Sequence, residues 1–96
     1  MVRINPEVLR EVCERHDVAD LRLFGSAARG EETDTSDIDL LVRFTAPKGL
    51  LELVRLEREI GQVLARPVDL VTERALSPHL RERILADARV VYDRAG

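Results

Sequence analysis

The sequence has a single cysteine, no tryptophan and very few aromatic residues. Cys13 has no partner for an internal disulfide bond, and no His or Cys cluster accompanies it, which argues against a zinc site. Aromatic residues make up 3% of the 96 residues, so leucine, valine, isoleucine and alanine must form the core. We expect Cys13 and Tyr92 to be packed inside and His16 to be a helix-terminal or surface residue.

Long apolar runs and an excess of basic residues are also missing. No segment approaches the ~20 apolar residues that span a bilayer, and the N-terminal segment is too polar for a signal peptide. We therefore expect a cytoplasmic protein that does not bind membranes. Charged residues reach 34%, but the formal net charge is only −3, which argues against stable nucleic-acid binding.

The length of 96 residues predicts one domain that spans residues 1–96. Its hydrophobic periodicity predicts the order α-β-β-α-β-α-β, an α/β domain in which helices flank a small mixed sheet. Asn5 and Ser77 are typical helix caps, and each precedes a proline, which suits a first helical turn. The other predicted elements are strands at 20–25, 37–44, 67–72 and 89–93 and a helix at 50–65.

The predicted helix 50–65 has two different apolar surfaces. Its core stripe consists of Leu50, Leu53, Leu56, Ile60, Val63 and Leu64. Leu51 and Val54 lie off this stripe. They either form part of a partner surface or pack under the 45–49 connection.

Two aspartates occupy alternate positions in the apolar strand 37–44. Asp37 and Asp39 therefore project from one face, with side chains at most about 7 Å apart. Aspartate is a poor strand former, and like charges this close repel one another unless a cation lies between them. Converging carboxylates suit Mg²⁺, which binds alongside substrate phosphates. The other acids nearby are interpreted as parts of a solvated loop at 31–36: Glu31, Glu32 and Asp34.

A third aspartate, Asp69, repeats the pattern between Val68 and Leu70 in strand 67–72. If this strand lies beside strand 37–44, all three carboxylates share one face of the sheet. Three such carboxylates can hold two metal ions roughly 3.5–4 Å apart, as in enzymes of phosphoryl or nucleotidyl transfer.

A small-residue turn, Gly25-Ser26, follows the first predicted strand and precedes a short helix. Glycine lets the backbone approach a ligand closely, and N–H groups at a helix start can bind phosphate oxygens. The Ser26 hydroxyl can add a hydrogen bond to phosphate. Arg29, about one helical turn later, can reach the same anion with its planar guanidinium.

These motifs together resemble a known signature. Gly25-Ser26, ten further residues and Asp37-Ile38-Asp39 reproduce the G-S-x10-D-x-D pattern of DNA polymerase beta-like nucleotidyltransferases. Val68-Asp69-Leu70 resembles the third carboxylate of that superfamily. The string GSAARGEETDTSDIDLLV is similar to that of the minimal nucleotidyltransferases, the MNT antitoxins paired with HEPN toxins.

The resemblance implies a metal-dependent enzyme that transfers a nucleoside monophosphate from a triphosphate to a hydroxyl group. The catalytic and metal-binding residues would be Asp37, Asp39 and Asp69. The nucleotide-binding residues would be Gly25, Ser26 and Arg29. The metal would be Mg²⁺, or Mn²⁺, and the nucleotide substrate would be ATP.

The acceptor is the part of the reaction that the motifs leave open. Family resemblance implies that AMP is attached to a tyrosine of a HEPN ribonuclease toxin, in a hetero-oligomer, and that this modification silences the toxin. One alternative is an antitoxin that neutralises its partner by binding alone. Another is a catalytic subunit that modifies a small-molecule hydroxyl. Because 96 residues leave no room for a second domain, we expect the acceptor to arrive on another protein.

Overall fold

The computed structural model describes residues 5–31 and 37–94, and its elements follow the predicted order. The helices are α1 (Pro6–Arg15), α2 (Gly25–Ala28), α3 (Leu50–Leu64) and α4 (Pro78–Asp87). The strands are β1 (Val18–Phe24), β2 (Ile38–Phe44), β3 (Val68–Thr72) and β4 (Arg89–Asp93), with a 3₁₀ turn at Glu73–Ala75. The predicted α/β class with a mixed sheet is confirmed. Most of the predicted acidic loop, including Glu32 and Asp34, lies outside the described residues.

The sheet has the strand order β3-β2-β1-β4. β1 pairs with β2 and with β4 in antiparallel fashion, whereas β2 and β3 are parallel. A parallel pair needs a long crossover connection, which α3 provides. This topology brings the start of β2, the start of β3 and the end of β1 to the same edge of the sheet.

The helix caps form as the sequence predicts. The side-chain oxygen of Asn5 accepts hydrogen bonds from the backbone N–H groups of Glu7 and Val8, at 3.1 and 3.3 Å. The Ser77 hydroxyl accepts one from the N–H of Leu80, at 3.3 Å. Within residues 5–31 and 37–94, no helix has the length and apolar character needed to cross a membrane.

One face of the sheet carries the core. Leu21 and Leu23 on β1 pair with Val42 and Leu40 on β2, and all four side chains are buried. α1 and α3 contact each other and the sheet, and they complete this core mainly with leucine, isoleucine and valine. Cys13 is fully buried and Tyr92 nearly so, which confirms both expectations.

The apolar residues at the start of α3 are exposed. The prediction that Leu50 belongs to the core stripe is wrong, because its side chain is 76% exposed. Leu56 faces the core, and Leu50 lies six residues earlier, about 120° around the helix from it. Leu51 and Val54 are 66% and 43% exposed, so they do not pack under the 45–49 connection.

His16 ends α1, as one of the two predicted alternatives has it, but its side chain is buried and does not lie at the surface. Its Nδ1 lies 3.0 Å from a carboxylate oxygen of Glu52, and its Nε2 lies 2.9 Å from one of Glu59. Both acids belong to α3, so the imidazole links the end of α1 to that helix. The sequence pattern places His16 only relative to its own helix and does not identify these distant partners.

Candidate functional site

Asp39 and Asp69 lie directly opposite each other on the parallel strands β2 and β3. Residues paired in this way project to the same side of a sheet. Their neighbours Leu40 and Leu70 point to the other side, into the core. Asp39 is half-buried and Asp69 is exposed. β2 and β3 are therefore adjacent, which is the condition under which the sequence predicts that the aspartates share one face of the sheet.

Asp37 lies immediately before β2, at the same edge of the sheet. The ladder between the two strands begins at Ile38, whose N–H donates to the carbonyl of Pro67 at 2.9 Å. Asp37 is exposed and remains outside the strand, so the predicted strand start is wrong by one residue. This placement agrees with the low strand propensity of aspartate.

The three carboxylates share one electrostatic environment. Burial raises the pKa of Asp39, and the negative charges of Asp69 and Asp37 raise it further. The positive charge of Arg29 acts in the opposite direction on this pKa. The environment thus opposes the ionised form of Asp39.

Gly25 allows the backbone to approach Asp39 closely. Phe24 pairs with Asp39 across β1 and β2, so Gly25 follows at the point of closest approach. Gly25 has a φ of +73°, and a Cβ atom there would overlap the Asp39 carboxylate. Both the conformation and the available space therefore require glycine at this position.

Ser26 and Arg29 belong to the one-turn helix α2 and its end. The backbone carbonyl of Ser26 accepts hydrogen bonds from the N–H groups of Arg29 and Glu31, at 3.2 and 2.8 Å. Nε of Arg29 donates to a carboxylate oxygen of Glu31 at 2.8 Å. This hydrogen bond, followed by the charge of Glu31 itself, raises the pKa of the guanidinium.

Glu31 and Asp87 are the two residues near the site that sequence reasoning missed. Glu31 is exposed, as predicted, but it holds Arg29 rather than only water. The charge of Asp87, the last residue of α4, also acts on Arg29 and raises its pKa. The two-residue spacing of Arg29 and Glu31 across a helix end is the only sequence signal of their contact.

The carboxylates surround a common region without forming a closed cluster. In the part of the chain that the structure describes, no three His, Cys, Asp or Glu side chains converge closely enough to form a metal-binding group. Mutual repulsion of ionised carboxylates opposes closer convergence. The structure brings Asp39, Asp69 and Gly25 together and places Asp37 and Arg29 within electrostatic range of Asp39.

Comparison with known protein families shows which family this chain belongs to. The family described as "Nucleotidyltransferase domain" matches residues 6–92, nearly the whole chain. The chain belongs to this nucleotidyltransferase family. Family membership accounts for the G-S-x10-D-x-D spacing and implies a nucleotide substrate.

Two relatives carry names that specify a protein acceptor. "Putative protein adenylyltransferase MJ0435" of Methanocaldococcus jannaschii is 47% identical over 77% of this chain and 80% of its own length. "Protein adenylyltransferase MntA" of Thermococcus cleftensis is 36% identical over 86% of this chain and 82% of its own length.

Solved structures share the fold. "Structure of putative minimal nucleotidyltransferase" aligns with a TM-score of 0.77 at 43% identity, over 88% of this chain and 86% of that chain. A toxin–antitoxin structure with AMP-PNP aligns with a TM-score of 0.78 at 22% identity, over 94% and 74%. One chain from a structure of a tri-AMPylated Shewanella oneidensis HEPN toxin in complex with MNT antitoxin aligns with a TM-score of 0.68 at 18% identity, over 94% of this chain and 71% of that chain.

Proposed function

We propose that this chain acts as one minimal nucleotidyltransferase domain that transfers AMP from ATP to a tyrosine hydroxyl of a HEPN toxin and thereby neutralises it. The observation that carries the proposal is the pairing of Asp39 with Asp69 beside Gly25. The names of the relatives support a protein acceptor. This chain shares its fold with a chain from a complex of an AMPylated HEPN toxin and an MNT antitoxin, which supports a HEPN toxin as the partner.

The donor set fits a divalent metal ion. Asp37, Asp39 and Asp69 offer only carboxylate oxygens, which Mg²⁺ prefers, and Mn²⁺ accepts the same donors. Burial raises the pKa of Asp39, and the negative charges of Asp69 and Asp37 raise it further; a bound cation would offset both effects. Bound there, the metal would neutralise negative charge on the triphosphate and on the departing pyrophosphate.

The glycine turn and Arg29 would hold the triphosphate. The absent side chain of Gly25 leaves space next to Asp39, and the Ser26 hydroxyl would donate a hydrogen bond to a phosphate oxygen. Arg29 is half-exposed and can exchange its Glu31 contact for a phosphate. The exchange replaces one charge-assisted hydrogen bond by another, so it costs little.

The chemical step needs one proton acceptor. The acceptor hydroxyl oxygen attacks the α-phosphorus, and the bond from that phosphorus to the bridging oxygen of the β-phosphate breaks. Pyrophosphate leaves, and AMP remains on the acceptor through a phosphodiester bond. Asp69, the exposed member of the pair, would accept the hydroxyl proton.

The experiment is to incubate the chain with ATP, Mg²⁺ and its HEPN partner, sought as the product of a neighbouring gene, and then to weigh that partner. We expect mass increments of one AMP each, mapped to tyrosine by fragmentation. Because Asp39→Asn and Asp69→Asn remove ligand charge and the proton acceptor, each should lower the initial rate at least about a hundred-fold.

The control variant is Glu11→Gln, which removes an exposed carboxylate on α1, away from the site. It should transfer AMP at the wild-type rate. An unmodified partner after incubation with the wild-type chain would refute the proposal, and so would equal rates for Asp39→Asn and wild type. Modification of small hydroxyl compounds in preference to the HEPN protein would instead favour the small-molecule alternative.

A further inference from the structure

The turn that ends α2 ties Glu31 to Ser26, one of the predicted nucleotide-binding residues. The N–H of Gly30 donates to the carbonyl of Ala27 at 3.3 Å, and the N–H of Glu31 donates to the carbonyl of Ser26 at 2.8 Å. These two bonds form a Schellman motif, whose glycine takes the left-handed conformation, here with a φ of +72°. The backbone therefore returns toward Ser26 and fixes the position from which the Glu31 side chain starts.

The side chain of Glu31 is the counter-ion of Arg29. Its Oε1 accepts a hydrogen bond from Nε of Arg29 at 2.8 Å, and the side chains of Arg29 and Glu31 are 51% and 58% exposed. An exposed ion pair of this kind adds little to stability, because water screens both charges and the contact orders two long side chains. A ligand that carries more negative charge than one carboxylate can therefore replace Glu31.

Arg29 stays within electrostatic range of the carboxylate site while Glu31 holds it. Glu31 contributes most to the raised pKa of Arg29, through its hydrogen bond and its charge, and the charges of Asp87 and Asp39 raise that pKa further. Burial and the neighbouring carboxylates raise the pKa of Asp39, whereas the positive charge of Arg29 lowers it. The guanidinium therefore lies at the rim of the site, and it can reach a ligand there without a change in the fold.

A carboxylate and a phosphate compete for the same donors of a guanidinium. Both are anions whose oxygens accept charge-assisted hydrogen bonds from its N–H groups. A triphosphate at the carboxylate site carries several negative charges against the single charge of Glu31, so it attracts the guanidinium more strongly. When the ligand leaves, the Glu31 carboxylate is two residues away from Arg29 and in place to bind it again.

We propose that Glu31 is an internal competitor of the nucleotide, which occupies Arg29 in the empty site, yields it to the triphosphate and takes it back when pyrophosphate leaves. This role rests on the proposed function, because it requires a triphosphate at the carboxylate site. Glu31 thus lowers the affinity of the site for its substrate and for pyrophosphate alike. Weaker binding of pyrophosphate favours its release, the kind of step that limits turnover in many enzymes.

The experiment measures ATP binding by calorimetry with Mg²⁺ and without any acceptor protein. We expect Glu31→Gln to lower the dissociation constant of ATP by about three- to five-fold, because the triphosphate then displaces an uncharged partner instead of an exposed ion pair. Inorganic pyrophosphate with Mg²⁺ should gain affinity by a similar factor. Damage to the fold would weaken binding, so a gain in affinity reports on the competition itself.

Two further variants identify the cause of the gain. Asp87 acts on Arg29 through its charge, so Asp87→Asn removes one negative charge near the guanidinium and leaves the Glu31 hydrogen bond in place. It should change the dissociation constant of ATP by less than about two-fold. In a chain that already carries Arg29→Gln, adding Glu31→Gln should leave the dissociation constant unchanged, because the competition requires Arg29.

The outcomes separate the competition from the enzymatic function. Equal or weaker ATP binding by Glu31→Gln would overturn the competition even if the wild-type chain transfers AMP to its partner. A gain that persists in the Arg29→Gln chain would also overturn it, because Glu31 would then repel the triphosphate directly. The expected pattern of affinities without AMP transfer to the HEPN protein would support the competition and refute the proposed acceptor. Absence of ATP binding in every variant would refute both the competition and the proposed function.

Discussion

At the scale of single residues, the site depends on how closely Gly25 approaches Asp39. Gly30 shares the unusual backbone conformation of Gly25, with a φ of +72° against +73°, but a Cβ atom added at Gly30 would meet no other described residue within 4 Å. The two glycines therefore form a matched pair. Replacing each glycine by alanine in turn distinguishes the free-energy cost of the backbone conformation, which both variants share, from the cost of crowding the Asp39 carboxylate, which only the Gly25 variant has.

We expect Gly30→Ala to lower the free energy of unfolding by about 1–2 kcal/mol, the cost of alanine in the left-handed region, and Gly25→Ala to lower it by more, because its Cβ also crowds the Asp39 carboxylate. Only Gly25→Ala should abolish Mg²⁺-dependent ATP binding, because its Cβ forces the Asp39 carboxylate to move. Urea unfolding and calorimetry measure the two effects. Equal ATP affinity in both variants would show that the close approach is irrelevant to the site.

The raised pKa of Asp39 predicts how the stability of the fold depends on pH. A carboxyl group whose pKa is higher in the folded state binds its proton more tightly there than in the unfolded state. Stability is therefore lost as pH rises from the ordinary aspartate pKa through the raised one, and the loss persists at neutral pH. Protonation at lower pH removes the penalty.

We expect Asp39→Asn to be more stable than wild type by about 0.5–1 kcal/mol at pH 7 without divalent ions, because it removes this penalty. The difference should shrink to zero at a pH below the ordinary aspartate pKa. Thermal unfolding of both proteins over this pH range measures it. A less stable Asp39→Asn variant at neutral pH would show that the carboxylate is not electrostatically unfavourable in the fold.

At the scale of elements, His16 joins α1 to α3 through two carboxylates. A glutamine at this position cannot bridge both acids, so Glu52 and Glu59 would remain close together without their shared partner. We expect His16→Gln to cost about 2–3 kcal/mol of unfolding free energy at pH 7, measured by urea denaturation. His79→Gln, an exposed histidine on α4, should change it by less than about 0.5 kcal/mol.

A double variant tests whether the loss comes from the carboxylates. Adding Glu59→Gln to His16→Gln should restore part of the stability, because it removes one of the two carboxylate charges that His16 no longer bridges. If the two substitutions instead prove additive, the contact of His16 with Glu59 does not stabilise the packing of the two helices.

The sequence predicted where the helices and strands lie along the chain, but it did not predict which residues of different elements contact each other. Periodicity predicted α3 and β4 because apolar spacing directly reflects which side of an element is buried. Periodicity assigned Leu50 to the core because apolar spacing does not show whether the first turn of α3 lies over the sheet. The contacts of His16 depend on residues more than thirty positions away, which local patterns do not encode.

At the scale of the whole molecule, the sequence predicted the residues of the candidate site but not that β2 and β3 lie side by side. Strand periodicity identified Asp39 and Asp69 as unusual acids, but only the adjacency of β2 and β3 brings them together. The contact between Arg29 and Glu31 depends on side-chain conformations at the end of α2, which spacing alone does not determine. The individual roles of these residues in metal and nucleotide binding remain predictions that the variants above test.

The parallel pairing of β2 with β3 couples the site to completion of the fold. A chain still emerging from the ribosome carries Asp37 and Asp39 before Asp69 exists, and it can assemble the full carboxylate set only after α3 has crossed over. Ligands that need all three carboxylates therefore bind the native state and not its precursors. By mass action, such a ligand shifts the folding equilibrium toward the native state, so cellular nucleotide would act as a folding ligand for this small domain.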